Sequence, residues 1–214
     1  MGGRSYMLAT RMPMSRAGFD AWLAAPLPGL DVIDNPAAMW TGWADDAGDP
    51  DWDLAEIAGY PAAVAAIRDA RAGTPLRLLA ARAAGGVTLA RHHDGALEVY
   101  LYDYHADVYG TQTSLLMLAG AGRFAETDEA TPVMYWGGNV YPDLPLGGDG
   151  PLAVLLVDRA GARFVDRYPL DALIGRLRPV EAVFVAAGEA AGGEGDWDAA
   201  TLLDPALRNH VAGG

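Results

Sequence analysis

The densest grouping of chemically competent side chains is Asp103-Tyr-His105-Ala-Asp107, with His92 and His93 shortly upstream. In an extended chain, residues 103, 105 and 107 project to one side. His92 points to that same side of the preceding hairpin. Two imidazoles and two carboxylates of this kind suit a divalent cation held through nitrogen and oxygen, or acid–base hydrolysis. The spacing completes no established ligand signature, so His92, Asp103, His105 and Asp107 are expected first as hydrogen-bonded structural residues. They are a metal or hydrolase site only as the alternative.

Two other motifs fall short sooner. Asp49-x-Asp51-x-Asp53 opens like a calcium loop, but Leu54 stands where glycine must turn the chain. Tyr60 stands where a bidentate glutamate must close it. Gly120-Ala-Gly122-Arg123 follows an apolar run and lacks a helix N-terminus to receive phosphate, so it reads as a helix stop.

Composition removes most remaining catalytic kits. There is no cysteine, which excludes disulfides, thiolate metal sites and cysteine nucleophiles. All 15 basic residues counted as Lys and Arg are arginine. Without lysine there is no Walker A loop, no kinase strand lysine and no Schiff base. Ser5, Ser15 and Ser114 are the only serines, and none sits in a nucleophile elbow. No cofactor is expected, and an enzyme is the less favoured reading.

The remaining signal is electrostatic. The net charge is -13 and the isoelectric point about 4.5, which argues against nucleic-acid and anionic membrane partners. No apolar run approaches a spanning length, and cytoplasmic residence is the expectation. Between Arg16 and Arg68 there is no basic residue, while Asp20, Asp31, Asp34, Asp45, Asp46, Asp49, Asp51, Asp53 and Glu56 all fall there. Trp40, Trp43 and Trp52 are interleaved with these acids. Tryptophan anchors among carboxylates suit a surface that receives a basic protein. The outward tyrosines expected at 100, 102 and 104 would extend that surface. The opposing reading plugs the tryptophans into the core and leaves the acids merely exposed. In physical profile, though in no sequence motif, the chain resembles small acidic bacterial immunity proteins, which neutralise a toxin. On that expectation Trp40, Trp43, Asp45, Asp46, Asp49, Asp51, Trp52, Asp53, Glu56, Tyr100, Tyr102 and Tyr104 meet a basic partner and occlude its cationic site. An adaptor or assembly subunit is a further alternative.

The elements that would position these residues are α+β in kind. A strand is predicted over 6–12 and a helix from Ser15 to Ala25 burying Phe19, Trp22 and Leu23. Pro61 opens a second helix, with Tyr60, Val64 and Ile67 as its stripe. Three runs, 76–84, 87–93 and 96–104, are separated by Gly85-Gly86 and Asp94-Gly95, which predicts a three-stranded antiparallel meander. That register sets Arg91 opposite Glu98 and Arg82 opposite Leu89. Thr113 to Ala121 reads as a buried helix, 132–136 as a strand, and 152–158 with 162–168 as a strand pair. A short helix over 170–177, a buried strand over 180–187 and a helical turn over 197–203 complete the pattern. The whole of 1–214 is expected as one α+β domain, with 137–151 as the sole candidate subdomain boundary. Its sheet is largely antiparallel, built on the meander and packed by a few helices.

Overall fold

A computed structural model describes residues 5–35, 73–85, 87–103, 108–138, 152–165, 168–190 and 202–211. The fold is α+β, with a six-stranded antiparallel sheet in the order β2-β3-β1-β4-β5-β6. In chain order the elements are β1 (Ser5–Pro13), α1 (Arg16–Ala24), α2 (Pro75–Gly85), β2 (Val87–His93), β3 (Ala96–Asp103) and α3 (Val108–Ala121). They continue as β4 (Thr131–Gly138), β5 (Leu152–Val157), β6 (Ala162–Val165), α4 (Leu170–Ala190) and α5 (Pro205–Val211).

Strand alternation loads both faces of this sheet with apolar side chains. One face presents Leu8, Met12, Ala90, Leu97, Val99, Leu101, Val133, Tyr135 and Leu155, and α1, α2, α3 and α5 pack on it through Phe19, Trp22, Leu79, Leu115 and Leu207. The other presents Met7, Ala9, Leu89, Tyr100, Met134 and Val154, covered by Leu173, Leu177 and Val180 of α4. Helices therefore sandwich the sheet, the arrangement that removes most apolar area from water. Residues 113–122 of and after α3 are all buried, as expected of a helix apolar on every side.

Local signals place several boundaries. Ser15 caps α1 by accepting a hydrogen bond from the Gly18 N–H, and Phe19, Trp22 and Leu23 are buried as the spacing predicts. Asp94 and Gly95 take φ of 52° and 66°, the left-handed pair that joins two right-twisted strands in a two-residue turn. Arg91 lies opposite Glu98, as the sequence register requires.

The first run of the expected meander is not a strand. Residues 75–85 form α2, so Arg82 is not opposite Leu89, and Leu79, Ala81 and Ala83 belong to a helix. Thr74 accepts from the Arg77 and Leu78 N–H groups through its side chain and carbonyl, and Pro75 occupies the first helical turn. The segment is Ala-, Leu- and Arg-rich with no β-branched residue, so propensity favours the helix. The third strand beside β3 is β1 instead.

The second correction joins two elements. The helix expected over 170–177 and the strand over 180–187 are one helix of 21 residues with Pro179 inside it. Leu173, Leu177, Val180, Phe184 and Ala187 recur at helical spacing, and burying that stripe on the sheet outweighs the proline's missing donor. The turn expected over 197–203 lies mostly outside the described residues, and the helix in this region is α5. Likewise the helix expected from Pro61, with Tyr60, Val64 and Ile67, and nearly all of the 137–151 loop lie outside them.

Gly122, in the short turn after α3, allows a close approach of two backbone segments. A Cβ there would meet the Asp158 carbonyl oxygen at 2.1 Å. Gly122→Ala is expected to cost about 1–3 kcal/mol through this clash, read as a lower urea midpoint at unchanged slope.

Candidate functional site

Two clusters of charged side chains lie toward the end of the sheet that carries the β2–β3 turn, on opposite faces. On the face covered by α4, one rung across β2, β3 and β1 reads Arg91, Glu98, Arg11. Glu98 is only 3% exposed, and Arg91 and Arg11 reach its carboxylate at 3.0 and 3.3 Å. His93 Nδ1 lies 3.6 Å from the same carboxylate. A carboxylate at this depth requires such partners, since burial without them costs several kcal/mol. The arrangement pins the turn end of three strands.

The second cluster ties the two ends of the chain together. Arg16, at the start of α1, donates to both oxygens of Asp204, at 2.7 and 3.1 Å. Its Nε donates to Asp20 at 3.2 Å. Asp204 also accepts from the backbone N–H of His92 and of Ala206, which makes it the cap of α5. Burial opposes ionisation of Asp204. The Arg16 hydrogen bonds and the two backbone N–H groups outweigh it, holding the carboxyl below its ordinary value. Asp204, then Asp20, raise the Arg16 guanidinium in return. Sequence reasoning missed this cluster, although Asp204-Pro205 is a helix-start signature that the chain displays.

His92 belongs to this second cluster. Its Nε2 lies 2.8 Å from the Met14 carbonyl, and its ring packs 5.8 Å from Phe19. His92 is paired with Leu97 beside the turn, whereas Asp103 is paired with Tyr6 at the far end of β3. Positions 97 and 103 are six residues apart, about 20 Å along a strand. One cation cannot span that distance, so the proposed joining of His92 with Asp103 is corrected. His105 and Asp107 lie outside the described residues. Among the described residues, no three His, Cys, Asp or Glu come together as a cation would require.

The partner-facing residues divide in the same way. Trp40, Trp43, Asp45, Asp46, Asp49, Asp51, Trp52, Asp53, Glu56 and Tyr104 all lie outside the described residues. Tyr102 is on β3, paired with Met7 and Val87. Tyr100 is not outward. It is 9% exposed, donates its hydroxyl to the Met7 sulfur and stacks 4.2 Å from Phe184 of α4. Burial, with the charge of Glu181 adding to it, pushes the phenol up. The face expected to reach solvent is a second core, because α4 covers it. Of the early acids, Asp20 is ion-paired to Arg16, while Asp31 and Asp34 are exposed.

A small cleft lies between α1 and α3, lined by Trp22, Leu27, Pro28, Pro75, Met117 and Phe124, with a volume of about 80 Å³. Metabolite sites run to roughly 300–1,000 Å³, so this cleft suits a few waters or one side chain. No described helix is long and apolar enough to cross a membrane. Set against known protein families, curated proteins and solved structures, the chain matches none of them.

Asp204→Asn is expected to cost about 1–3 kcal/mol at neutral pH, the scale of a lost charge-assisted pair. Because the folded pKa is lowered, the carboxylate's contribution is complete above the unfolded value of about 3.9 and fades as pH falls below it. The difference in unfolding free energy between wild type and variant should therefore stay flat from neutral pH to about 5. It should narrow in more acid solution.

Proposed function

We propose that this protein binds a basic protein partner and blocks that partner's cationic site, in the manner of an immunity protein against a toxin. One observation carries the reading: the chain has no basic residue between Arg16 and Arg68, against nine Asp and Glu, with Trp40, Trp43 and Trp52 among them. The arrangement of the folded body lends further support. Arg11, Arg91, Arg16 and Arg159 are each engaged with a carboxylate of the body itself, namely Glu98, Asp20, Asp204 or Asp128.

The mechanism is electrostatic and steric. Carboxylates of residues 45–56 sit where the partner's cationic site would hold phosphate, and their charge speeds encounter. The indoles supply contact area once water is displaced. Residence in the cytoplasm, where such a partner would be neutralised, is part of this reading. The hydrolase alternative is not carried forward, since His92 on β2 lies beside the β2–β3 turn and Asp103 ends β3 about 20 Å away.

The test is retention of a basic protein on the immobilised chain, followed by titration of that pair in salt. Affinity is expected to fall at least tenfold between about 50 and 500 mM NaCl, as screening shortens the reach of exposed charges. Changing Asp45, Asp46, Asp49, Asp51 and Asp53 together to Asn should give a comparable loss at unchanged melting temperature. Affinity indifferent to both salt and the fivefold change overturns the proposal.

A further inference from the structure

Among the described residues, both edges of the sheet end in the same device. At the β6 edge, Ile33 makes a parallel bridge to Ala162, and the Asp34 N–H donates to the Ala162 carbonyl at 2.9 Å. The Asn35 side chain then donates to the Phe164 carbonyl at 2.9 Å and accepts from the Phe164 N–H at 2.8 Å. A side-chain amide thus reproduces both bonds of a neighbouring strand. At the β2 edge, Leu203 makes a parallel bridge to Ala90, and the Asp204 N–H donates to the Ala90 carbonyl at 2.8 Å. The Asp204 carboxylate accepts from the His92 N–H at 3.3 Å.

An edge strand's outward N–H and C=O groups are a template for pairing with another chain. Both edge strands carry such groups, at Ala162 and Phe164 of β6 and at Ala90 and His92 of β2, so a second copy laid edge to edge would find backbone to pair with. We infer that Asn35 and Asp204 are edge guards, each occupying with its own side chain the backbone groups through which the sheet would otherwise add a strand from a second copy. The assignment does not depend on the proposed partner. It concerns the sheet's resistance to self-pairing, and binding of a basic protein would be unaffected by its failure.

Asn35 provides the clean test, because Asp204 also holds Arg16 and caps α5. Asn35→Ala frees the Phe164 groups. Its apparent mass by light scattering is expected to rise with protein concentration beyond that of wild type. In hydrogen exchange, the Phe164 amide should be fast in dilute variant and protected in concentrated variant, by at least tenfold. Asn35→Asp keeps an acceptor for the Phe164 N–H and adds a charge at the edge, so it should follow wild type. Should Asn35→Ala lose its fold by circular dichroism, Asn35→Ser, too short to reach both groups, is read in the same way. A folded Ala or Ser variant that scatters like wild type overturns the inference. So do oligomers with a fast-exchanging Phe164 amide, or an Asp variant that associates as readily as Ala.

Discussion

A sheet covered by helices on both faces must satisfy the charged groups it buries from within. That constraint shapes the whole described body. The apolar faces leave Glu98 no route to water, so it is met by Arg11 and Arg91 from the neighbouring strands. Asp204 at the β2 edge is met by Arg16 and two backbone N–H groups. Even the Tyr100 hydroxyl, pressed beneath α4, finds the Met7 sulfur. Charges here hold elements in register, and the pairs that do so join residues as far apart in sequence as 16 and 204. Leaving the Glu98 or Asp204 carboxylate without its arginines would strand a buried charge, which is the costly event.

The same constraint bears on function. Side chains already committed to partners make poor nucleophiles, ligands or docking points. The cleft beside Trp22 is too small for a metabolite, and both sheet edges are occupied by the protein's own Asx residues. Attention therefore falls on the negative charge the body does not neutralise. Its richest source is the run of carboxylates and tryptophans between Asp45 and Glu56. In the proposed reading the body is a scaffold whose own ion pairs leave the acidic segment's field available to a cationic partner.

Much of the fold was legible locally, and the failures share a cause. The Asp94-Gly95 turn fixed a register in which Arg91 faces Glu98, because turn chemistry and strand alternation are both short-range rules. Ser15 marked α1 for the same reason. Residues 76–84 read as a strand because Gly85-Gly86 turns a hairpin as readily as it ends a helix, yet Thr74-Pro75 is itself a helix start. Residues 180–187 misled because a densely apolar stretch fits either period, and Pro179 seemed to divide what packing on the sheet holds together. The candidate metal cluster failed on distance. The hairpin sends His92 and Asp103 to opposite ends of the ladder, a consequence already implicit in the turn position. Tyr100 failed because alternation tells which side a residue takes, not whether a helix arriving some 70 residues later will cover that side (α4 begins at Leu170). Arg16 and Asp204 were invisible as a pair because nothing local links positions 188 residues apart.

The central claim is that the acid- and indole-rich segment receives cations from outside the molecule. It is tested most directly by tryptophan emission during titration with a short oligo-arginine peptide at low ionic strength. The account predicts a saturable change in emission that disappears in high salt. Emission that stays flat throughout the titration, with the protein folded, would contradict it.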